Sequence, residues 1–468
     1  MKKLHLSIFL LFLIVPVHAL DTDVSTLMSL YLQNDIGLQE AALKVKQAEL
    51  ELGRAGIQTG INLEVSTGQL WISADENGGT FKISPNAKVS APLLNNTSVQ
   101  AQAEASGNSE ASTLNNVGVS ISTAIITNNI KKSKITKIMA ERALLDAERA
   151  LHRRSLQAEK EFYTALSDIY TAAVSAFTLE DDAYTKDIEL QLAKIQGYGE
   201  NSVHYRTILL ESLGKKRDSA MQMREFERKK SEFFENCGIV GGEIPNTILS
   251  ADENAINILQ TLSDFSDQND DKFVDINAAE WTHLINSLNR NADGDIELNV
   301  NGGFTFNNTS FDKTTSINAG LTFAWKGIAA SLGTEIPISD VKKPALTLSV
   351  GLTLNTLRLA AIKDSEKRLQ YQSEMLGIAK AEKAWRSTIL DMARTKEDLI
   401  HESREKTEQA ELYKILEADT TEYYKSGMIN ESDYKKAKTS ALRAAYQSLL
   451  SDIKIIQYTI EYRLYFVD

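Results

Sequence analysis

Two short stretches, Ile195-Gln-Gly-Tyr-Gly-Glu-Asn-Ser-Val-His-Tyr205 and Tyr423-Tyr-Lys-Ser-Gly-Met-Ile-Asn-Glu-Ser-Asp433, interrupt long helical sequence in the same manner. Each is centred on glycine, which enters positive φ at low cost and so commonly ends a helix. They lie almost half the chain apart, and segments of strand character precede each of them. The chain therefore reads as an internal two-fold repeat of strands, long helix, turn and return helix.

Proline marks where such helices can run. After residue 19 it occurs only at Pro85, Pro92, Pro245, Pro337 and Pro344, which leaves 93–244 and 345–468 free of it. A proline inside a helix costs about 3 kcal/mol. The expected first repeat, 20–240, holds a helix over 24–56, a β segment over 60–127, a long helix over 130–196, a turn at 197–202 and a return helix over 203–236. The expected second repeat, 271–468, holds a helix over 272–291, a β segment over 295–355, a long helix over 357–426, a turn at 427–431 and a return helix over 431–465. An irregular linker over 241–270, carrying Gly241, Gly242 and Pro245, joins the two. Along the first long helix Leu144, Leu151, Ala158, Ala165 and Ala172 recur at every seventh position, a coiled-coil-like seam whose alanines admit a close neighbour. At 1.5 Å per residue each long helix would extend roughly 100 Å, a length that demands packing partners throughout.

The β segments alternate. Ile317, Ala319, Leu321, Phe323 and Trp325 are interleaved with Asn318, Gly320, Thr322 and Ala324, and Leu346, Leu348, Val350 and Leu352 with Thr347, Ser349 and Gly351. A membrane barrel strand needs this period, apolar toward lipid and polar toward the lumen. Leu321, Phe323, Trp325, Leu348, Val350 and Leu352 are then the lipid-facing candidates. A soluble antiparallel sheet with one wet face has the same period. Each half offers four such segments, near 61–73, 80–91, 97–105 and 115–127 and near 296–306, 314–325, 328–337 and 345–355. Stretches 74–80, 106–116 and 307–316 read as turns or loops.

Residues 1–19 read as a secretory leader: Lys2 and Lys3, the apolar run Leu6 to Val15, then Val17-His-Ala19. No run of 18 apolar residues follows, so strands would have to carry the chain into a membrane. A net charge of −12 disfavours a nucleic-acid partner. Cys237 is the single cysteine, and the six histidines show no paired ligand spacing, so neither a disulfide framework nor a metal site is expected. No phosphate loop, nucleophile elbow or dinucleotide fingerprint occurs. The reading is of a non-enzyme with no catalytic residues and no cofactor.

At this point the sequence resembles the TolC-like outer membrane efflux protein family. AALKVKQAELELGRAGIQTGINLEVS (41–66) is similar to that family's first helix running into its first strand. YYKSGMINESDYKKAKTSALRAAYQSLL (423–450) is similar to its second helical tip, with Tyr424, Gly427, Asp433 and Ala437 in family-like places. The match around Gly199 is looser.

The resemblance implies a mainly α, mixed fold in which long coiled-coil hairpins form a periplasmic tube. Antiparallel strands from a homotrimer would form an outer-membrane β-barrel. It implies a passive duct in the cell outer membrane, serving efflux or type I secretion. Its partners would be a periplasmic adaptor (membrane fusion) protein, an inner-membrane transporter and outer-membrane lipid. Gly197, Gly199, Ser202, Gly427 and Ser432 would sit in the adaptor-docking turns, with Tyr424 and Asp433 at a constriction. Tyr205, Ile429 and Lys436 depart from the family pattern, and with them its closed-state ion pair is missing. A periplasmic coiled-coil adaptor or scaffold with a soluble β-domain is the alternative reading.

Overall fold

The computed structural model describes residues 23–68, 70–75, 78–91, 97–108, 111–126, 129–249, 255–262, 273–292, 296–308, 313–325, 328–338, 344–352 and 354–466. The leader read at 1–19 lies outside them. In chain order come α1 (Val24–Asn34), α2 (Ile36–Thr59), β1 (Asn62–Ser66), β2 (Leu70–Asp75), β3 (Gly78–Ile83), β4 (Asn86–Ala91), β5 (Thr97–Asn108) and β6 (Ser112–Ile126). Then follow α3 (Asn129–Ile195), α4 (Val203–Asn236), α5 (Ala255–Thr261) and α6 (Val274–Ala292). The chain ends with β7 (Ile296–Asn308), β8 (Lys313–Trp325), β9 (Ile328–Pro337), β10 (Ala345–Leu352), α7 (Leu354–Lys425) and α8 (Glu431–Leu464). The architecture is mainly helical with one antiparallel sheet. The two longest helices, α3 and α7, fall in the proline-free stretches; α3 also lacks glycine, and α7 has only Gly377.

The residues divide into two compact units, one of Met1–Glu40, His152–Asn269 and Arg386–Phe466, the other of Ala41–Leu151, Asp270–Trp385 and Val467–Asp468. The first unit is helical. Leu27 of α1, Phe162, Leu166 and Tyr170 of α3, Phe233 and Phe234 of α4, and Ile453 and Ile460 of α8 form its core. Each such side chain contributes about 1.5–3 kcal/mol when fully buried. Phe162 packs edge-on to Tyr31 at 5.6 Å and tilted against Phe233 at 5.3 Å. Ala158, Ala172 and Ala173 of α3 are buried beside them, as the small-residue seam requires. Cys237 is buried at the same core, and burial pushes its thiol up to about 11.

Two expectations need correction in this unit. In place of one helix over 24–56 there are two, because Asp35 takes an extended conformation at φ −70, ψ 110. Its carboxylate accepts from the Leu38 N–H at 2.6 Å and from the Arg154 guanidinium, which also pairs with Glu161 at 2.8 Å. A side chain that caps the next helix and holds an arginine from α3 outweighs the local helix preference. The stretch after α4 is not wholly irregular either. The Tyr170 hydroxyl donates to the Pro245 carbonyl at 2.5 Å, Ile248 is buried, and α5 buries Leu259.

The second unit carries the ten-stranded sheet, in the order β1-β4-β5-β6-β7-β8-β9-β10, with the β2–β3 hairpin attached through β3 to β5. Its pairings are antiparallel throughout. The expected segments near 61–73 and 80–91 are each broken in two. Gly68 has φ +65, and a Cβ there would meet the Ser84 carbonyl oxygen at 1.7 Å. Opposite it, Pro85 offers no N–H, while its carbonyl accepts from the Ala103 N–H at 3.0 Å. β1–β2 and β3–β4 are thus two bent strands, and the sheet is a succession of eight long segments. The loops are shorter than expected: β3 begins at Gly78, β5 reaches Asn108 and β6 begins at Ser112, while β7 reaches Asn308 and β8 begins at Lys313.

Helices of this unit are joined by charge as well as packing. Arg290 of α6 grips Glu374 of α7 through two hydrogen bonds, at 2.6 and 2.9 Å, and the His283 ring N–H donates to the same carboxylate at 2.8 Å. The Glu374 side chain is 7% exposed, and the Arg290 guanidinium, aided by His283 and Asn286, holds its carboxyl down at about 2. Phe273 stacks on the buried Trp385 at 4.3 Å. Because the folded value lies below the ordinary 4.5, this carboxylate stabilises the fold above pH 4.5 and loses that effect as pH falls through about 2. Glu374→Gln should therefore cost about 2 kcal/mol at neutral pH and flatten the decline in denaturant midpoint across that window. Wild-type and variant curves running parallel in acid would contradict it.

Candidate functional site

The sheet presents two unlike faces. One cross-strand row reads Asn62, Ser90, Ser98, Ser122, Asn301, Gly320, Gly333 and Thr347, passing through all eight segments. Serine and threonine hydroxyls bridge neighbouring strands on this face, Ser98 to Ser122 at 2.8 Å and Thr305 to Ser316 at 2.8 Å. The alternate rows are mainly apolar: Val65, Ala87, Ala101, Val119, Phe304, Ile317 and Ile336 lie in one of them.

Register brings the expected strand positions together on that apolar face. Leu321 stands against Leu332 and then Leu348, Phe323 against Ala330 and then Val350, and Trp325 against Ile328 and then Leu352. Leu321, Trp325, Leu348 and Val350 are exposed within the chain, as are Val119, Ile121, Phe304 and Ile317. Six apolar rows separate the Trp325 row from the Val117–Phe306 row inclusive. At about 6.8 Å between rows on one face this is roughly 34 Å along the strands, or about 24 Å for strands tilted near 45°.

The two helical turns of the first unit share one motif. After α3, Gly197 has φ +82, its N–H donates to the Lys194 carbonyl at 3.1 Å, and the Tyr198 N–H donates to Ala193 at 3.1 Å. After α7, Gly427 has φ +75, donating to Tyr424 at 3.0 Å, while the Met428 N–H donates to Tyr423 at 2.9 Å. Both are Schellman closures, in which positive φ two residues beyond the helix lets two N–H groups satisfy the last carbonyls. Gly199, expected to share this role, is not among the positive-φ glycines; its carbonyl accepts from the Ser202 N–H at 2.8 Å.

Each return helix begins on a side-chain cap. Ser202 accepts from the Tyr205 N–H at 3.2 Å, and Asn430 accepts from the Asp433 N–H at 2.8 Å. Ser432 lies inside the first turn of α8, whose cap is Asn430, a residue not singled out from the sequence. The signal was present, since asparagine directly before an acidic first turn is a common helix start. Tyr424 stacks on Tyr434 at 4.8 Å with an interplanar angle of 5°. Asp433 is exposed, and its place near a helix N-terminus suits the dipole. Tyr205 is 5% exposed and belongs to the packing between helices. The start of α8 lies along the end of α3, with Lys435 over the Tyr184 ring at 4.8 Å and Arg443 3.8 Å from Asp181. Ile195, Val203 and Met428 leave apolar surface at the turns.

Among the described residues, no group of three or more His, Cys, Asp or Glu side chains is placed to hold a metal ion. No described helix is long and apolar enough to cross a membrane.

The sequence pattern of the TP096X N-terminal domain matches residues 27–261, and that of the TP096X C-terminal domain matches residues 259–468. No curated protein matches the chain. Among solved structures, the chain is similar to the outer membrane protein VceC from Vibrio cholerae, at 12% identity and a TM-score of 0.46, over 94% of this chain and 95% of that one. It is similar to the open state of the MtrE outer membrane channel of Neisseria gonorrhoeae at 14% identity and a TM-score of 0.47, over 93% and 88%. The CmeC outer membrane channel of Campylobacter jejuni matches at 12% identity and a TM-score of 0.43, over 93% and 85%.

The turn geometry separates the glycines by role. Gly427→Ala should cost about 1 kcal/mol, the price of positive φ for a side chain, and speed amide exchange at 427–433. Asn430→Ala should cost about 1 kcal/mol through the lost cap. Gly199→Ala, whose added Cβ meets nothing within 4 Å, should leave exchange unchanged. Equal effects at Gly199 and Gly427 would contradict the assignment.

Proposed function

The chain belongs to the TP096X family, and from that premise and the geometry above we propose that it is an outer-membrane duct. It would conduct passively what an inner-membrane pump and a periplasmic adaptor deliver, as part of a tripartite efflux or type I secretion system. One observation carries the reading: a single sheet presents a mainly apolar face across its eight segments and a polar face, of small and charged residues, on the other side. A soluble sheet needs its apolar face covered by protein. Lipid covers it in a barrel, and the polar face then lines water. The height of the apolar rows suits the roughly 25 Å apolar band of such barrels.

β1 and β10 end the sheet's path, and an open edge cannot stay unpaired in lipid. Three copies joined edge to edge would remove all six edges, and the eight segments of each would make a 24-stranded wall. A barrel of that size leaves a wide lumen, whereas eight strands closed alone would be filled by their own side chains. The long helices would form the periplasmic tube. The turns at Gly197 and Gly427 would be its tips, with Ser202 and Ser432 near the adaptor contact. Tyr424 and Asp433 would line the constriction, where copies of Asp433 around an axis would favour cations. The resemblance of 41–66 and 423–450 to the TolC-like family supports this arrangement.

Leu321, midway up the apolar rows, separates a membrane sheet from a soluble one. Leu321→Arg should destabilise the assembled protein by about 2–4 kcal/mol in a bilayer and lower its yield in the outer-membrane fraction. The wild-type protein should require detergent for extraction and migrate differently on gels before and after heating. A soluble wild-type protein, together with a neutral Leu321→Arg, would overturn the proposal.

A further inference from the structure

We propose that neighbouring copies of this chain join along an antiparallel seam between α2 of one and α7 of the next, with Arg54 facing Glu366 and Glu49 facing Arg368. The proposal rests on the edge-to-edge assembly above and specifies which helix faces meet beneath the joined edges.

Leu43, Leu50 and Ile57 recur every seventh residue on α2, and Ile362, Leu369 and Leu376 do so on α7. All six are between 56 and 74% exposed within the chain. These are not the faces by which the two helices pack in their own unit. On α2 the buried positions are Ala48 and Ala55, each five residues beyond a stripe residue and so about 140° round the helix. On α7 the covered positions are Glu374 and Trp385, which likewise lie away from the stripe. A surface helix has one apolar face. A helix with apolar positions on two opposed faces has a neighbour on each side, as in a wall.

The occupant follows from topology and charge. α2 runs into β1 and α7 runs out of β10, and these strands are the two ends of the sheet's path. Joining β1 of one copy to β10 of the next brings the two stripes side by side in opposite directions. Pairing Ile57 with Ile362, Leu50 with Leu369 and Leu43 with Leu376 aligns all three rungs. In an antiparallel pair, residues at the same offset from their rungs face each other across one flank. Arg54 and Glu366 each follow a rung by four residues, and Glu49 and Arg368 each precede one directly. Both flanks then carry opposite charges. Sliding the register by one heptad sets Arg54 against Leu359 or Ser373 and Glu49 against Ala361 or Met375, and both pairs are lost. All four charged residues are exposed, and none makes an ion pair or hydrogen bond among the described residues. A head-to-tail contact of this kind closes into a ring when its rotation permits.

The test is a disulfide that can form only between copies. Full-length chains carrying Cys237→Ser with either Leu50→Cys or Leu369→Cys are co-expressed, each checked alone for wild-type fractionation. The seam predicts an oxidised dimer that contains one chain of each kind and that reductant separates. Arg54→Glu in the Leu50→Cys chain should lower its yield about fivefold, and Glu366→Arg in the other chain should restore it to within about twofold. Oligomers that extract from the membrane but never link would overturn the seam and leave the duct reading standing. A soluble monomer would overturn both. Linking that is indifferent to the two charge reversals would remove the assigned register.

Discussion

The ladder between β6 and β7 is the constraint on which the second unit depends. It pairs Asn116 with Asn307 and runs to Ile126 with Leu298, joining two strands that the whole of α3, α4, α5 and α6 separates in sequence. Closing so long an excursion costs conformational entropy, although that cost grows only slowly with length. The ladder offsets it with a long run of backbone pairs and with side-chain contacts such as Val119 beside Phe304. Without it there would be two small sheets, each with one more open edge. With it one mainly apolar face continues from β1 to β10, and those two strands end the sheet's path.

The two units satisfy their side chains by different means. In the helical unit the large aromatics are enclosed by the chain itself, with Phe162, Phe233 and Tyr170 nearly inaccessible. The sheet has no comparable enclosure: Phe304, Ile317, Trp325 and Leu348 remain exposed among the described residues. Exposed apolar patches of such extent on a folded chain mark a surface made for another phase or another molecule. Register sharpens the point. Because side chains alternate, slipping a strand by one residue would exchange every serine and asparagine of the polar row for an apolar neighbour. The two-faced sheet is thus a property of the pairing as much as of the composition.

Much of this was legible in the sequence wherever a local rule decides the outcome. The absence of proline over 93–244 and 345–468 left room for α3 and α7, and period-two alternation marked the rows that hold Leu321 and Leu348. Where a distant partner decides, no local pattern announces the outcome. Asp35 breaks a helix because Arg154, far along the chain, holds its carboxylate. Gly68 and Ser84 bend two strands because they must pass each other closely. α5 is short, with Leu259 and Ala255 its buried residues, so no periodic pattern announces it. At the turns, two nearby glycines were equivalent as letters. Only the backbone distinguishes Gly197, which takes positive φ, from Gly199, which does not. The stacking of Tyr424 on Tyr434 likewise needed the return helix in place before it could be seen.

The central claim is that one face of the sheet meets lipid and the other meets water. The most direct measurement is a cysteine scan along β8 from Ile317 to Trp325, in the Cys237→Ser background. Each site would carry a spin label, with collision rates measured against oxygen and a water-soluble nickel chelate in reconstituted bilayers. Lipid contact predicts alternation, with Ile317, Ala319, Leu321, Phe323 and Trp325 reached from the bilayer and Asn318, Gly320 and Thr322 from water. Equal access of the nickel chelate to both sets would contradict it.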